Sequence, residues 1–315
     1  MKSVVVHEKE KKGTYFSLLR HDFVKNRWIY GMLLPVLAYY IVFHYTPMYG
    51  AIIAFKNFSP GLGIWGSPWV GFRQFKDFFG SVYFGRIFSN TIKISFTSIL
   101  FGFPAPILLA LLLNELWSKK FTRVVQTVTY LPHFISVVVI CGMVKSFTND
   151  NGLINDIIVM FGGERKTLLN DPDLFVPIYI ISNLWQELGW SAIIYIAALS
   201  GIDQQLYEAA KIDGAGKCRQ VLSITLPGIL PTVMIMLILE IGSVMSVSSE
   251  KILLLYHPTI YKTADVISTY VYRKGIQETN YSYSTAVGLF NSVINFTLLV
   301  CSNRLSRMLS GNSLW

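Results

Sequence analysis

"YEAAKIDGAGKCRQVLSITLP", residues 207–227, is a polar segment set between long apolar runs. Glu208, Ala209 and Ala210 favour helix, Gly214 and Gly216 end or turn it, and Ile224, Leu226 and Pro227 lead into the next apolar run. A chain that is 52% hydrophobic and only 14% charged lies outside the usual composition of a soluble domain. A polar helix–turn–helix inside such a chain therefore reads as a stretch that leaves a membrane and returns to it.

Working outward, the apolar residues are bunched into stretches of the length a helix needs to cross about 30 Å of hydrocarbon. Six such stretches run from about Trp28 to Thr46, Ile94 to Leu113, Val124 to Val144, Leu174 to Leu199, Ile229 to Val247 and Tyr283 to Val300. They are solidly apolar, where barrel strands would alternate in polarity over roughly ten residues. The predicted fold is an all-α membrane protein with six transmembrane helices.

Lys and Arg are modestly in excess in the loops on the side of the N-terminus, which places both termini in the cytoplasm. The expected division is a cytoplasmic segment over 1–27, a transmembrane domain over 28–302 and a cytoplasmic tail over 303–315, with the polar segment, about 201–227, on the cytoplasmic face. The first apolar run lacks a small-residue cleavage site after it and is expected to remain as a helix. The net charge of +9 sits at membrane borders and points to lipid headgroups, with no nucleic acid among the partners. "YFSLLRHDFVKNRW", 15–28, interleaves aromatic and basic residues as an interfacial helix would, though a solvated leader fits equally well.

Cys141 and Cys301 fall in spans and Cys218 in the cytoplasm, so no pair is placed for a disulfide, and no metal-binding spacing occurs. On the outer side, residues 58–79 read as turns plus an amphipathic helix anchored by Trp65 and Trp69, and Thr263 to Arg273 reads as a short surface helix. The Gly-Ala-Gly-Lys at 214–217 is not a phosphate loop. That loop needs Gly where Lys211 stands and Ser or Thr where Cys218 stands.

Polar groups inside spans are functional candidates because an ionised group in hydrocarbon requires water or a partner. Asn183, Gln186, Glu187 and Trp190 recur at i, i+3, i+4 and i+7 on the fourth span and make one stripe. Glu240 lies in the middle of the fifth. His133 follows Pro132 at a comparable level of the third. Asn291 and Asn295 lie one turn apart on the sixth, where gluing helices together is as good a reading as lining a path.

Glu208-Ala209-Ala210, then Asp213-Gly214-Ala215, then Ile224, Leu226 and Pro227, resemble the EAA motif of bacterial ABC-importer permeases. The resemblance extends through Trp185–Ala210, "KTADVISTYVYRKG" at 262–275 and the final Leu314-Trp315, and it is to the carbohydrate branch of maltose-type, oligosaccharide and polysaccharide permeases. It implies a type I (MetI-like) bundle with a cytoplasmic coupling helix in a bacterial cell membrane. It also implies a second permease subunit, two ATPase subunits that carry ATP and Mg, an extracellular solute-binding protein and an oligosaccharide substrate. The chain itself would then be a transporter subunit without catalysis or cofactor. Glu208 would make the polar contact to the ATPase, Gly214 would shape the turn, and Ala209, Ala210, Asp213 and Ala215 would complete the docking surface. His133, Asn183, Gln186, Glu187, Trp190 and Glu240 would line the sugar pathway. Two acids in that pathway exceed what the family pattern requires. They could bind a sugar, a cationic one included, or pair with the partner permease. The alternative function is an ion- or proton-coupled secondary transporter carrying its ion on Glu187 and Glu240.

Overall fold

The computed structural model describes residues 22–247, 249–311 and 313–314. Among them there is no strand beyond an isolated bridge between Lys56 and Trp69, and the fold is otherwise built of helices. The chain divides between Ile52 and Ile53 into two compact units.

The first unit holds α1 (Arg27–Tyr40), which continues through a π-helical turn at Ile41–Tyr45. No residue of α1 is buried. Of the expected interfacial segment, residues 15–21 lie outside the described residues, as does most of the expected N-terminal cytoplasmic segment; helix is present from Asp22. There the Asp22 carboxylate accepts from Asn26 and from the Tyr30 hydroxyl.

The second unit begins with turns and α2 (Arg73–Phe79), where Trp65, Trp69 and Phe72 are exposed as the anchoring reading expects. α3 (Phe84–Gly102) and α4 (Pro104–Asn114) form one apolar run that starts at Phe84 rather than at Ile94. The polar residues in its first turns are buried with partners. Asn90 Nδ2 donates to the Lys262 and Asp265 carbonyls, and Thr91 Oγ1 accepts from Ile267 N. Hydropathy alone could not see those bonds.

The third expected span is broken. α5 (Lys119–Tyr130) ends in a 3₁₀ turn, Leu131–Phe134, and α6 (Val137–Thr148) restarts at a sharp bend; the two arms, Lys119–Phe134 and Val137–Met160, meet at 100°. Pro132 removes a donor, Ile135 turns extended, and Ser136 caps the new helix by accepting from Val139 N. α7 (Leu153–Met160) follows α6. α8 (Pro172–Ser200) is a 29-residue helix, long enough to cross, whose polar middle keeps it less apolar than the other spans. Four helical runs are both long and apolar enough to span, five with the bent pair, so six is an approximate count.

α9 (Gln204–Ile212) is followed by α10 (Lys217–Gly242), which runs unbroken from the polar segment into the fifth span. The expected start at Ile229 is thus only where the helix enters its apolar part. α11 (Ser249–Leu255) and α12 (Ile267–Tyr272) lie between the last two spans. The expected surface helix over Thr263–Arg273 is corrected twice. It is interrupted at Asp265, and Val266, Ile267, Thr269 and Tyr270 are buried. The tie is Asp265, wholly buried, which accepts from Arg273 Nη2 at 2.7 Å, Arg86 Nη2 at 3.4 Å and Thr269 Oγ1 at 2.9 Å. These bonds raise the Arg273 guanidinium's already high pKa against the opposing effect of its burial. α13 (Tyr281–Ser310) runs past the expected boundary at residue 302 and stops at Gly311, φ +70°. Leu314 N then folds back onto Asn303 Oδ1, and Trp315 lies outside the described residues.

α8 sits at the centre of this unit, packed against α3, α4, α5 and α10. One apolar cluster joins Ile94, Phe175, Tyr179 and Ile252; another joins Ala110, Ala192, Tyr195 and Ile229; a third joins Phe78, Ile87, Tyr270 and Val287. Asn295 holds the end of α10 to α13 by accepting from Met245 N and donating to Ser246 Oγ, which is the gluing role. Asn291 Oδ1 is buried without a partner.

At the α5–α8 crossing, buried Gly189 lies against the Thr129 backbone, and a Cβ there would collide with the Thr129 carbonyl. Gly189→Ala should lower stability by about 1–3 kcal/mol, as overpacking does. Thermal unfolding of the detergent-solubilised chain checks this; an unchanged midpoint would mean that the crossing is not tight.

Candidate functional site: a polar cavity and a polar helical turn

The stripe on α8 faces two different environments. Asn183, Glu187 and Trp190 line a cavity of about 390 Å³ together with Glu240 of α10, and Ser98, Phe103 and Tyr195 complete much of its wall. A smaller cavity of about 140 Å³ shares Ser98, Asn183 and Glu240. Both therefore open onto the Glu240 carboxylate, which has no hydrogen-bond or ion-pair partner among the described residues.

His133, at the break between α5 and α6, does not line the cavity but packs on two residues that do. Its ring stacks flat on Trp190, 4.3 Å between centroids and 3° between planes, and its Nδ1 lies 2.9 Å from Glu187 Oε2. The broken helix is what brings an imidazole to this place, since the 3₁₀ turn carries His133 toward α8. Gln186 departs from the expectation. It is buried, points away from the cavity, and accepts at Oε1 from Lys251 Nζ at 3.1 Å. The i+3 position lies about 300° round a helix from its reference and i+4 about 40°, so the stripe is wide enough for its edge to turn into the protein.

Lys251, on α11, was not foreseen as a site residue. It is 1% exposed, and burial pushes its ammonium down to about 8. The only signal for it was a lone lysine at the head of "KILLLY", which reads as an interfacial anchor.

The segment read as a coupling motif is a helix, a tight turn and the start of α10. α9 is capped by Asp203 accepting from Gln205 N. It closes in a Schellman turn, with Ala215 N donating to Ala210 O and Gly214 N to Lys211 O, while Gly214 takes φ +74°. Gly214 is therefore required at that turn, because a side chain there would be strained. Glu208, Ala209 and Asp213 are exposed, Ala210 and Ala215 half-buried, and the Glu208 carboxylate has no hydrogen-bond or ion-pair partner among the described residues. Ile212, one turn on from Glu208, is 87% exposed, so the face beside Glu208 carries an uncovered apolar side chain.

Three contacts fix this segment to the spans. The Tyr207 and Thr225 hydroxyls bond at 2.9 Å, Gln220 Nε2 donates to Ala215 O at 2.8 Å, and Lys217 Nζ pairs with Glu115 Oε2 at 2.7 Å. Cys218 is exposed, Cys301 exposed and Cys141 buried, none of them paired. No cluster able to hold a metal ion occurs among the described residues.

Residues 102–311 match the family described as binding-protein-dependent transport system inner membrane component. The chain is 44% identical over 284 residues to protein LplB of Bacillus subtilis (strain 168), covering 90% of this chain and 89% of that one. It is 42% identical over 306 residues to the polygalacturonan/rhamnogalacturonan transport system permease protein YteP of the same organism, covering 96% and 94%. Among solved structures it is similar to a chain of a bacterial ABC transporter involved in the import of the acidic polysaccharide alginate, with a TM-score of 0.87, 43% identity and coverage of 93% of this chain and 99% of that one. The same similarity, TM-score 0.87 at 41% identity over the same shares, holds for a bacterial alginate ABC transporter in complex with an alginate pentasaccharide-bound periplasmic protein.

The Lys217–Glu115 pair is exposed, and such pairs contribute up to about 1 kcal/mol, or about five-fold in an opening equilibrium. Glu115→Lys should raise amide hydrogen exchange across residues 213–220 by up to that factor. Adding Lys217→Glu should restore it. Exchange that rises equally in the double variant would show that the pair does not hold the segment.

Proposed function

The chain belongs to the family of binding-protein-dependent transport system inner membrane components, and from that premise we propose that it is the pore-forming permease of an ATP-binding-cassette importer for an oligosaccharide. It forms half of the pathway beside a second permease subunit, receives its sugar from an extracellular solute-binding protein, and is driven by two cytoplasmic ATPase subunits that hold ATP and Mg. Both termini face the cytoplasm of a bacterial cell.

The observation that carries this reading is the coupling segment. It presents an unpaired carboxylate, Glu208, beside exposed Ile212, on a helix whose turn is closed by backbone hydrogen bonds and leads into α10. An apolar, uncovered helix face with one unsatisfied charge is the chemistry of a protein contact. Closure of the ATPase pair moves that segment, and α10 carries the movement into the membrane as a rigid body.

The cavity supplies the other half of the reading. Carboxylates and amides hydrogen-bond sugar hydroxyls, and aromatic faces pack on sugar CH surfaces. Glu187, Glu240 and Asn183 provide the first, and Trp190 and Tyr195 the second. His133 stacks on Trp190 and holds Glu187 in orientation. The ion-coupled carrier finds no support in the family or in its relatives.

A charge-assisted contact is worth about 1.5–3 kcal/mol, so Glu208→Lys should reduce sugar-stimulated ATP hydrolysis of the assembled importer by about ten-fold or more. Hydrolysis and uptake measured on the purified complex in vesicles check this. Unchanged stimulation would remove Glu208 from the docking contact.

A further inference from the structure

We propose that this chain's half of the pathway selects against acidic sugars, so that the substrate is an oligosaccharide of neutral or amine-bearing units. The proposal rests on the importer reading above and deepens it.

The cavity of about 390 Å³ is lined by two carboxyl-bearing side chains, Glu187 and Glu240, and by no basic one. The two basic side chains that meet the polar stripe of α8 are already engaged. His133 lies on Glu187, and Lys251 is 1% exposed behind Gln186, with its Nζ bonded to Gln186 Oε1. Glu187 therefore faces a partner, while Glu240 faces none. Glu240 also borders both cavities, so a sugar moving between α8 and α10 passes its carboxylate.

Within protein and lipid, like charges repel far more than in water, and a uronate meeting Glu240 gains no compensating bond, because a carboxylate only accepts. A hydroxyl or ammonium group donates to the same oxygens. Trp190 and Tyr195 supply ring surface that is indifferent to the substrate's charge. The arrangement recognises donors and turns anions away, and discrimination by repulsion is as effective as discrimination by attraction. It contrasts with the acidic polysaccharide named for the structural relative.

The test uses the complete complex, with its second permease and ATPase subunits, in lipid nanodiscs. Binding is read by saturation-transfer NMR with tetragalacturonate, its full methyl ester and the tetrasaccharide of glucosamine. The ester removes the acid's charge at every unit at the cost of one added methyl group, and the amino sugar separates a neutral preference from a cationic one. Transfer to the ester or the amino sugar, lost in Trp190→Ala, with the acid bound at least about five-fold more weakly, is the expected result, and Glu240→Gln should raise the ratio of acid to ester binding by about that factor. Equal binding of acid and ester by the unaltered complex overturns the charge selection, as does a ratio unmoved by Glu240→Gln. Absence of Trp190-dependent binding by all three sugars overturns the cavity as a sugar path, and the proposal with it, while sugar-stimulated hydrolysis tests the importer separately.

Discussion

A polar side chain on a membrane-crossing helix must find water, a partner or another protein, and α8 carries four in two turns. The way each is satisfied organises the surrounding structure. Gln186 takes the Lys251 ammonium, which draws α11 inward and buries it to 1% exposure. Glu187 takes His133, which requires the third span to break so that a 3₁₀ turn can present the ring. Trp190 lies under that ring. Asn183 is left to the cavity. An exposed α11 would leave the buried Gln186 unpaired, at about 1–3 kcal/mol, and a straight third helix would leave the part-exposed Glu187 without His133.

The same accounting explains what was legible in the sequence. Runs such as Ile94–Leu113 announce themselves by composition, because burial in lipid needs no specific neighbour. Their true ends do not, since Asn90 and Thr91 extend α3 through bonds to residues some 170 positions away. The segment around Ile267 and Tyr270 reads as an outer surface helix by its mixed polarity. It is buried because Asp265, Arg86 and Arg273 form an ion network that no local pattern encodes. Pro132 was visible, but the 100° bend depends equally on Ser136 capping the new helix. Glu208 and Gly214 were legible because their roles are local: a charge on an exposed helix and a turn needing positive φ. Lys251 was not legible, because its partner lies on a different helix.

Unsatisfied groups separate the interior from the surfaces where other molecules belong. Inside the second unit the wholly buried Asp265 is answered by Arg273, Arg86 and Thr269. At the two ends of α10 this fails. Near its start, across the Schellman turn, Glu208 stands unpaired beside exposed Ile212; near its end, Glu240 stands unpaired between two cavities. Lys217 to Gly242 is one helical run, so at 1.5 Å per residue the two ends lie about 35 Å apart along a single element. The Tyr207–Thr225 and Lys217–Glu115 contacts bind the coupling turn to that helix and to the end of α4. The turn is therefore tied to its neighbours at more than one point, and the polar hairpin and the Glu240 carboxylate are joined by one continuous helical run.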